Sequence, residues 1–493
     1  MKGRRVFSAL LAFLSVTAAA AAAASDQRPG LQSCRLQGVE HQALCGSVRR
    51  PLDPAQPLGR QIDVHYAVLP ALARNRSPDP VLFFAGGPGQ SAIELAGNVG
   101  RLLARLNNRR DIVLIDQRGS GRSAPLRCAE VAPTQPLALA ADPAQQAARL
   151  RECSSQLQAL PHGDLRHYTT WVAVQDANAV RLALGAAQVN LVGVSYGTRA
   201  ALDFMRQFPQ AVRRVVLDGV APPDMALPAS ASVDNQAALD AVFEFCVADA
   251  RCRALYPALR QDWASLLGSL PREVSVLHPT SGQRETFNAS RDLVLALLRT
   301  PLYSPALAAA VPHALAQAAR GRFEPLVGLA SALTPSRSGR IAEGMHFAVV
   351  CSEDLPRLAP GVDATSVRTV PGADFGDSFA VQYAKVCADW PRGDVPAAFY
   401  TLPPAPAATL LLSGGADPAT PPRHAERVAR ALGAKARHVV VAQAGHGVMA
   451  LPCIRDVLFR FVDAAADNVA LQVAADCAQG LPRPALFAPP AAP

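Results

Sequence analysis

Four stretches of the 493-residue chain carry residue types that together could perform acyl transfer through a serine. Ser195 lies in Gly193-Val194-Ser195-Tyr196-Gly197, directly after the apolar Leu191-Val192 and before a helix-compatible run from Thr198 to Arg206. Gly-x-Ser-x-Gly recurs by chance, so the weight rests on this strand–turn–helix context. There the serine sits on a tight turn, the glycines let backbone approach, and the helix N-terminus favours developing negative charge. A serine nucleophile needs a base, and an imidazole needs an acid to hold its tautomer. His446 stands in Ala444-Gly445-His446-Gly447 after the apolar run Val439–Val441, and Asp417 stands in Gly414-Gly415-Ala416-Asp417-Pro418 after Leu410–Leu412. The order Ser195, Asp417, His446 is the one such a site takes when it is built on a strand–helix repeat. Any one of ten histidines is ordinarily a plain surface or core residue; flanking glycines and rank along the chain single out His446. Asp218 is the rival acid, since it ends the run Val215–Leu217. Asp417 is preferred because it lies one strand before His446 and has its own glycine turn. The developing oxyanion needs N–H donors, and Phe83-Phe84-Ala85-Gly86-Gly87-Pro88-Gly89 provides a glycine loop. Pro88 has no N–H, so a donor must come from Gly86, Gly87 or Gly89; Gly87 is chosen, paired with the N–H of Tyr196.

These residues require an open sheet to hold them. Arg60–Leu69 places Ile62, Val64, Tyr66 and Val68 on alternate positions, as in a half-buried strand. Val81–Phe84, Ile112–Ile115, Leu191–Val194, Val215–Leu217, Leu410–Leu412 and Val439–Val441 are short continuous apolar runs, suited to parallel strands covered on both faces. Helical stretches such as Val172–Leu184 separate several of them, which predicts an α/β fold with a mostly parallel sheet. Between Pro222 and Ala405 the rhythm breaks into alanine-, leucine- and proline-rich sequence of helical character. The expected organisation is a core from residues 25–222 and 405–480, a helical cap inserted at 223–404, and a Pro/Ala-rich tail at 481–493 without fixed structure.

Composition limits the alternatives. The formal charge of +9 is almost all arginine, with lysine only at 2, 385 and 435, and it is scattered. A nucleic-acid binder clusters its basic residues, so nucleic acid is not an expected partner. Lys2, Arg4 and Arg5, then an apolar stretch from Val6 to Val16 and an alanine run to Ala24, read as a signal peptide over residues 1–24. The Arg4-Arg5 pair is a weak twin-arginine hint, and a retained membrane anchor is the less favoured reading. The protein is therefore expected in the periplasm or outside the cell, with no stable membrane insertion after signal removal. Ten cysteines behind such a leader favour disulfides, and sequential pairing (34–45, 128–153, 246–252, 351–387, 453–477) closes short local loops. No His-Glu-x-x-His, P-loop or dinucleotide fingerprint occurs, so no metal or organic cofactor is expected.

Gly86-Gly87-Pro88-Gly89, Asp116-Gln117-Arg118-Gly119-Ser120-Gly121-Arg122-Ser123 and the Ser195 segment together resemble the prolyl aminopeptidase and tripeptidyl aminopeptidase family of α/β-hydrolases. Tyr168-Thr169-Thr170 with Asp176 and Arg181, Gly415-Ala416-Asp417-Pro418-Ala419-Thr420-Pro421 and Gly445-His446-Gly447 extend the resemblance over most of the chain; the cap matches loosely. Ala85 departs from the histidine the family often places before Gly-Gly-Pro-Gly. The resemblance implies a serine exopeptidase acting on peptides with a free N-terminus, whose α-ammonium is held by cap carboxylates. Val350-Cys351-Ser352-Glu353-Asp354 is similar to the cap motif of the secreted members, which makes Glu353, then Asp354, the substrate-binding candidates. An esterase or other acyl hydrolase using the same triad, and a binding protein on an inactive scaffold, are the alternatives.

Overall fold

The computed structural model describes residues 30–332, 339–358, 374–376, 378–403 and 405–488; the expected signal peptide lies outside them. Eleven strands run β1 (Gln32–Cys34), β2 (Ala43–Pro51), β3 (Gln61–Leu69), β4 (Val81–Phe84), β5 (Ile112–Ile115), β6 (Val189–Val194), β7 (Val212–Asp218), β8 (Arg272–Leu277), β9 (Arg284–Ala289), β10 (Ala408–Gly414) and β11 (Ala436–Val441). Nine of them form one sheet in the order β1-β2-β3-β5-β4-β6-β7-β10-β11. The six from β5 to β11 in that order are parallel, whereas β1, β2 and β3 pair antiparallel at one edge. This is the expected α/β-hydrolase architecture, with every continuous apolar run in a parallel strand.

Alternate residues of those strands face opposite sides, and each side has its helices. Leu82, Phe84, Leu191, Val215, Leu217 and Leu411 pack on one face with the helices Thr170–Ala183, Tyr196–Gln207 and Pro422–Leu432. Val81, Phe83, Val192, Val216, Leu410 and Leu412 pack on the other with Ala96–Leu102 and Pro452–Asp463.

The inserted segment differs from a single helical cap in two ways. It contains the antiparallel hairpin β8–β9, whose Val274 and Val276 alternate inward. The turn is held by His278 Nδ1, which accepts from the Thr280 and Ser281 amides. The insertion also divides. Residues from Ala238 to Leu329 build an apolar cluster of their own, but Met345, Val349, Cys351, Val386 and Trp390 join the cluster on the sheet's own face. The tail corrects a second expectation. Leu486 is buried in the insertion's cluster and the Phe487 amide donates to the Ala309 carbonyl, so residues 481–488 are docked, while 489–493 lie outside the described residues. Proline-rich sequence does not prevent docking when an apolar side chain finds a groove.

All ten cysteines are paired as the local-loop argument expects: 34–45, 128–153, 246–252, 351–387 and 453–477. The 351–387 bond holds the helix Glu343–Glu353 to the helix Ser378–Cys387 within the part of the insertion that packs on the sheet. Among the described residues no helix is long and apolar enough to cross a membrane.

Candidate active site

Ser195 follows β6 and is the N-cap of the helix Tyr196–Gln207, with φ at +54°. A non-glycine residue at positive φ is strained, and the strain is held by close backbone crossings on both sides. A Cβ on Gly193 would meet the Gly197 carbonyl at 2.5 Å, and one on Gly197 would meet the Phe84 carbonyl at 2.1 Å. Both positions of the motif therefore require glycine. As the first helical residue, Tyr196 has an N–H with no intrahelical acceptor.

The glycine loop after β4 supplies the opposite wall. Gly86 is its point of closest approach, since a Cβ there would lie 3.3 Å from Ser195 Cβ. Gly87 has φ of +112° and turns the chain, and Gly89 pairs with the insertion: Ala342 N donates to its carbonyl at 3.0 Å. Asp116, after β5, ties this loop down by accepting from Ser91 Oγ at 2.6 Å and from the Ile93 and Arg122 amides at 3.1 Å. Arg118 of the same block is buried and forms a two-pronged pair with Asp176 at 2.7 and 3.0 Å. The Asp-Gln-Arg-Gly block thus braces the site from behind.

His446 and Asp417 meet directly. His446 Nδ1 is 2.8 Å from Asp417 Oδ2. Asp417 Oδ1 accepts from the amides of Ala419 and Thr420, and Thr420 Oγ1 donates to Oδ2 at 2.8 Å. Burial pushes the Asp417 carboxyl upward, but the facing imidazole and these donors outweigh it and leave it below the ordinary aspartate value. For His446 burial acts downward, and the Asp417 charge and hydrogen bond lift the net value above that of a free histidine. The imidazole also packs edge-on to Tyr303, with ring centroids 5.2 Å apart, and its backbone N–H donates to the Tyr303 carbonyl.

Asp218, the rival acid, has another partner set. Its carbonyl accepts from Ser195 N at 2.8 Å, and its carboxylate accepts from the amides of Val448 and Met449 at 3.0 and 2.9 Å. It thereby ties the serine turn to the loop that carries His446. Between them Gly219, with φ of +66°, leaves a gap in which a Cβ would lie 3.3 Å from His446 Cε1. Ser195 and His446 therefore flank the Asp218–Gly219 step, without a direct hydrogen bond between their side chains; such bonds tighten when substrate arrives.

Glu353 and Asp354 are fully buried and are not the solvated pair that a charged doublet suggests. Arg199 Nη1, from the helix after Ser195, donates to Glu353 Oε2 at 3.1 Å and to Asp354 Oδ1 at 2.9 Å. Thr170 adds its amide and hydroxyl to Glu353, and its hydroxyl also meets the Tyr196 hydroxyl at 2.6 Å. Both Glu353 oxygens are thus engaged. Asp354 Oδ2 is the one buried carboxylate oxygen among the described residues without a hydrogen bond. Burial, opposed by Arg199, pushes the Glu353 carboxyl up to about 7.

Sequence reasoning missed Arg199, Thr170 and Thr420. Thr420 was visible within Asp417-Pro418-Ala419-Thr420, three residues past an acid that could cap a turn. Arg199 carried no signal that its partners would come from residues 353 and 354. A cavity of about 460 Å³ opens beside Gly89 and Ser91, bounded by Glu94, Arg127, Arg340 and Glu343, and none of Ser195, Asp417 or His446 lines it. Among the described residues no group of three or more His, Cys, Asp or Glu is placed to hold a metal ion.

Sheet order, a strained serine after β6 and an acid–histidine pair after β10 and β11 define an α/β hydrolase. Two family models agree: one described as the alpha/beta hydrolase fold matches residues 79–256, and one described as a TAP-like protein matches 372–468. The chain has the α/β-hydrolase fold and is similar to proteins named as aminopeptidases. A tripeptidyl aminopeptidase of Streptomyces lividans is 32% identical over 219 residues, 42% of this chain and 41% of that protein. The chain thus matches about two fifths of that relative's length. The serine protease Hip1 of Mycobacterium tuberculosis is 26% identical over 407 residues, 77% of each chain. A proline iminopeptidase of Xylella fastidiosa is 27% identical over 143 residues, 29% of this chain and 32% of that protein.

Proposed function

We propose that the protein is an exported serine peptidase that releases residues or short peptides from free peptide N-termini through an acyl-enzyme on Ser195. The observation that carries this reading is the 2.8 Å Asp417–His446 pair beside a serine held at positive φ. With its Nδ1 proton donated to Asp417, His446 presents Nε2 as the base. Nε2 takes the Ser195 hydroxyl proton as Oγ bonds to the scissile carbonyl carbon. The carbonyl oxygen then becomes an anion facing the N–H groups of Tyr196 and Gly87. The C–N bond breaks as His446 returns the proton to the leaving amine, and a water activated by the same imidazole hydrolyses the ester.

The α-ammonium needs an anion at the acyl end, and the buried acids supply one. Two carboxylates face a single guanidinium, so their ionised state is one negative charge in excess. A substrate cation neutralises it, and burying that cation unpaired would be costly. Both Glu353 oxygens already have donors whereas Asp354 Oδ2 has none, so Asp354 is the better placed of the two. Five disulfides support export to an oxidising compartment, the periplasm or the medium.

N-acetylation of a good peptide substrate tests the reading. Losing a buried charge pair from one side costs about 3–5 kcal/mol, so kcat/KM should fall by roughly two to four decades. Equal turnover of acetylated and free peptides, or preferential turnover of short-chain esters, would reject the exopeptidase and leave an acyl hydrolase of another specificity.

A further inference from the structure

Arg299, at the edge of the site, is a cation with no carboxylate partner among the described residues. It lies near the end of the helix Arg291–Leu302, half-buried, and its Nε is sealed from solvent with no hydrogen bond. Its Nη2 donates to the Tyr303 hydroxyl at 3.0 Å. Its titratable neighbours are the phenols of Tyr303 and Tyr383, and among the described residues no carboxylate pairs with it. Of the other arginines whose Nε atoms are likewise sealed, Arg199, Arg206, Arg214 and Arg427 each meet an aspartate, and Arg437, on the strand β11 away from the aromatic cluster, has no carboxylate pair among the described residues. Arg299 instead lies 5.0 Å from the ring centroid of Phe379 and 5.7 Å from that of Tyr303. Aromatic faces offset part of the cost of burying a cation, but they accept none of its remaining N–H donors.

Tyr303 holds the His446 backbone and packs edge-on to its ring, so Arg299 is one side chain away from the base. On its other side His346, at the backbone of Pro88 in the glycine loop, meets the Tyr383 hydroxyl at 2.8 Å. Burial and the Arg299 charge pull the His346 imidazole down to about 4, so it is neutral at ordinary pH. The charges of both Arg299 and Asp354 are felt at the Tyr383 hydroxyl.

We propose that Arg299 receives a carboxylate of the peptide substrate, so that the site selects peptides carrying that anion in addition to the α-ammonium. This rests on the exopeptidase reading above. A guanidinium fork matches a carboxylate in two parallel hydrogen bonds, which a neutral amide cannot reproduce. The anion can come from an acidic side chain or from the C-terminus of a short peptide.

Two matched pairs of peptides with free N-termini distinguish these sources: Glu against Gln beside the scissile bond, and a C-terminal carboxylate against its amide. The charged member of one pair should be preferred at least about thirty-fold in kcat/KM by the wild type. In Arg299→Gln that ratio should fall to within about threefold of unity, with Arg299→Lys between, since it keeps the charge and loses the fork. Labelling of Ser195 by a fluorophosphonate reports that each variant has an assembled site. If the glutamine variant fails to label, the lysine variant and the wild-type ratios decide. No preference in either pair, or a preference that survives substitution, overturns the proposal. Acetylated versions of the same peptides test the exopeptidase reading separately. If acetylation costs nothing that reading falls, and the carboxylate-to-amide ratio still decides Arg299.

Discussion

Asp218 and Asp417 follow neighbouring strands, are each 2% exposed and lie close to the same imidazole, yet they do different work. Asp218 is the last residue of β7, where its carboxylate meets two backbone amides of the loop after His446. Asp417 lies beyond the end of β10 on a turn that aims its carboxylate at Nδ1. The acidities separate accordingly. Burial pushes Asp218 up to about 6 against its two amide donors, whereas the imidazole and Thr420 hold Asp417 below the usual aspartate value. An acid after a strand is therefore only a candidate; three residues of turn geometry assign it to the ring or to the backbone.

Substitutions can break this contrast. Ser195→Ala sets the scale: it should remove turnover by about four orders of magnitude or more while thermal unfolding is unchanged, as triad precedents indicate. Near-normal turnover, or probe labelling of another serine, would discard the triad altogether. Asp417→Asn should cost about ten-thousandfold in kcat by presenting the wrong tautomer of His446. It also carries a pH signature. The base must be neutral, so kcat/KM rises with pH through the His446 value, which Asp417 raises; removing that charge moves the acid limb to lower pH. A limb that stays in place would show that Asp417 does not set the imidazole.

Asp218→Asn should cost less, about a hundredfold, because a donor then faces the Val448 or Met449 amide and the His446 loop shifts. Its kcat/KM limb should move less than that of Asp417→Asn. If Asp218→Asn proves the more damaging of the two, the assignment of the acid is reversed. Thr420→Val removes one hydrogen bond to a carboxylate that keeps its backbone donors, so the expected loss is about tenfold. Rates and pH profiles of the four variants together place each group on the ring or behind it.

The parallel strands, the serine turn and the disulfide pairs were legible in the chain because each is written in contiguous or nearly contiguous residues. Four-residue apolar runs, glycines at the crossings and cysteines 6 to 36 residues apart need no knowledge of distant partners. The edge strands β1 and β2 and the hairpin β8–β9 escaped notice because half-exposed strands mix polar and apolar residues without a continuous run.

Long-range direction settled what local pattern left open. Whether Asp218 or Asp417 faces His446 depends on where two loops end after strands that share the same apolar character. Glu353 and Asp354 stand out in the sequence as carboxylates for the substrate ammonium, but nothing local shows that Arg199, more than 150 residues away, lies between them. The insertion reads as one cap, but its second half buries Met345, Val349 and Trp390 against the sheet's own face. Arg299 is one arginine among many in the chain; that its side chain meets Tyr303, and no carboxylate among the described residues, is decided by where the helix bearing it packs. Apolar periodicity records which residues are inside, and it carries no information about which polar groups meet there. Those meetings depend on side-chain directions across elements far apart in the chain.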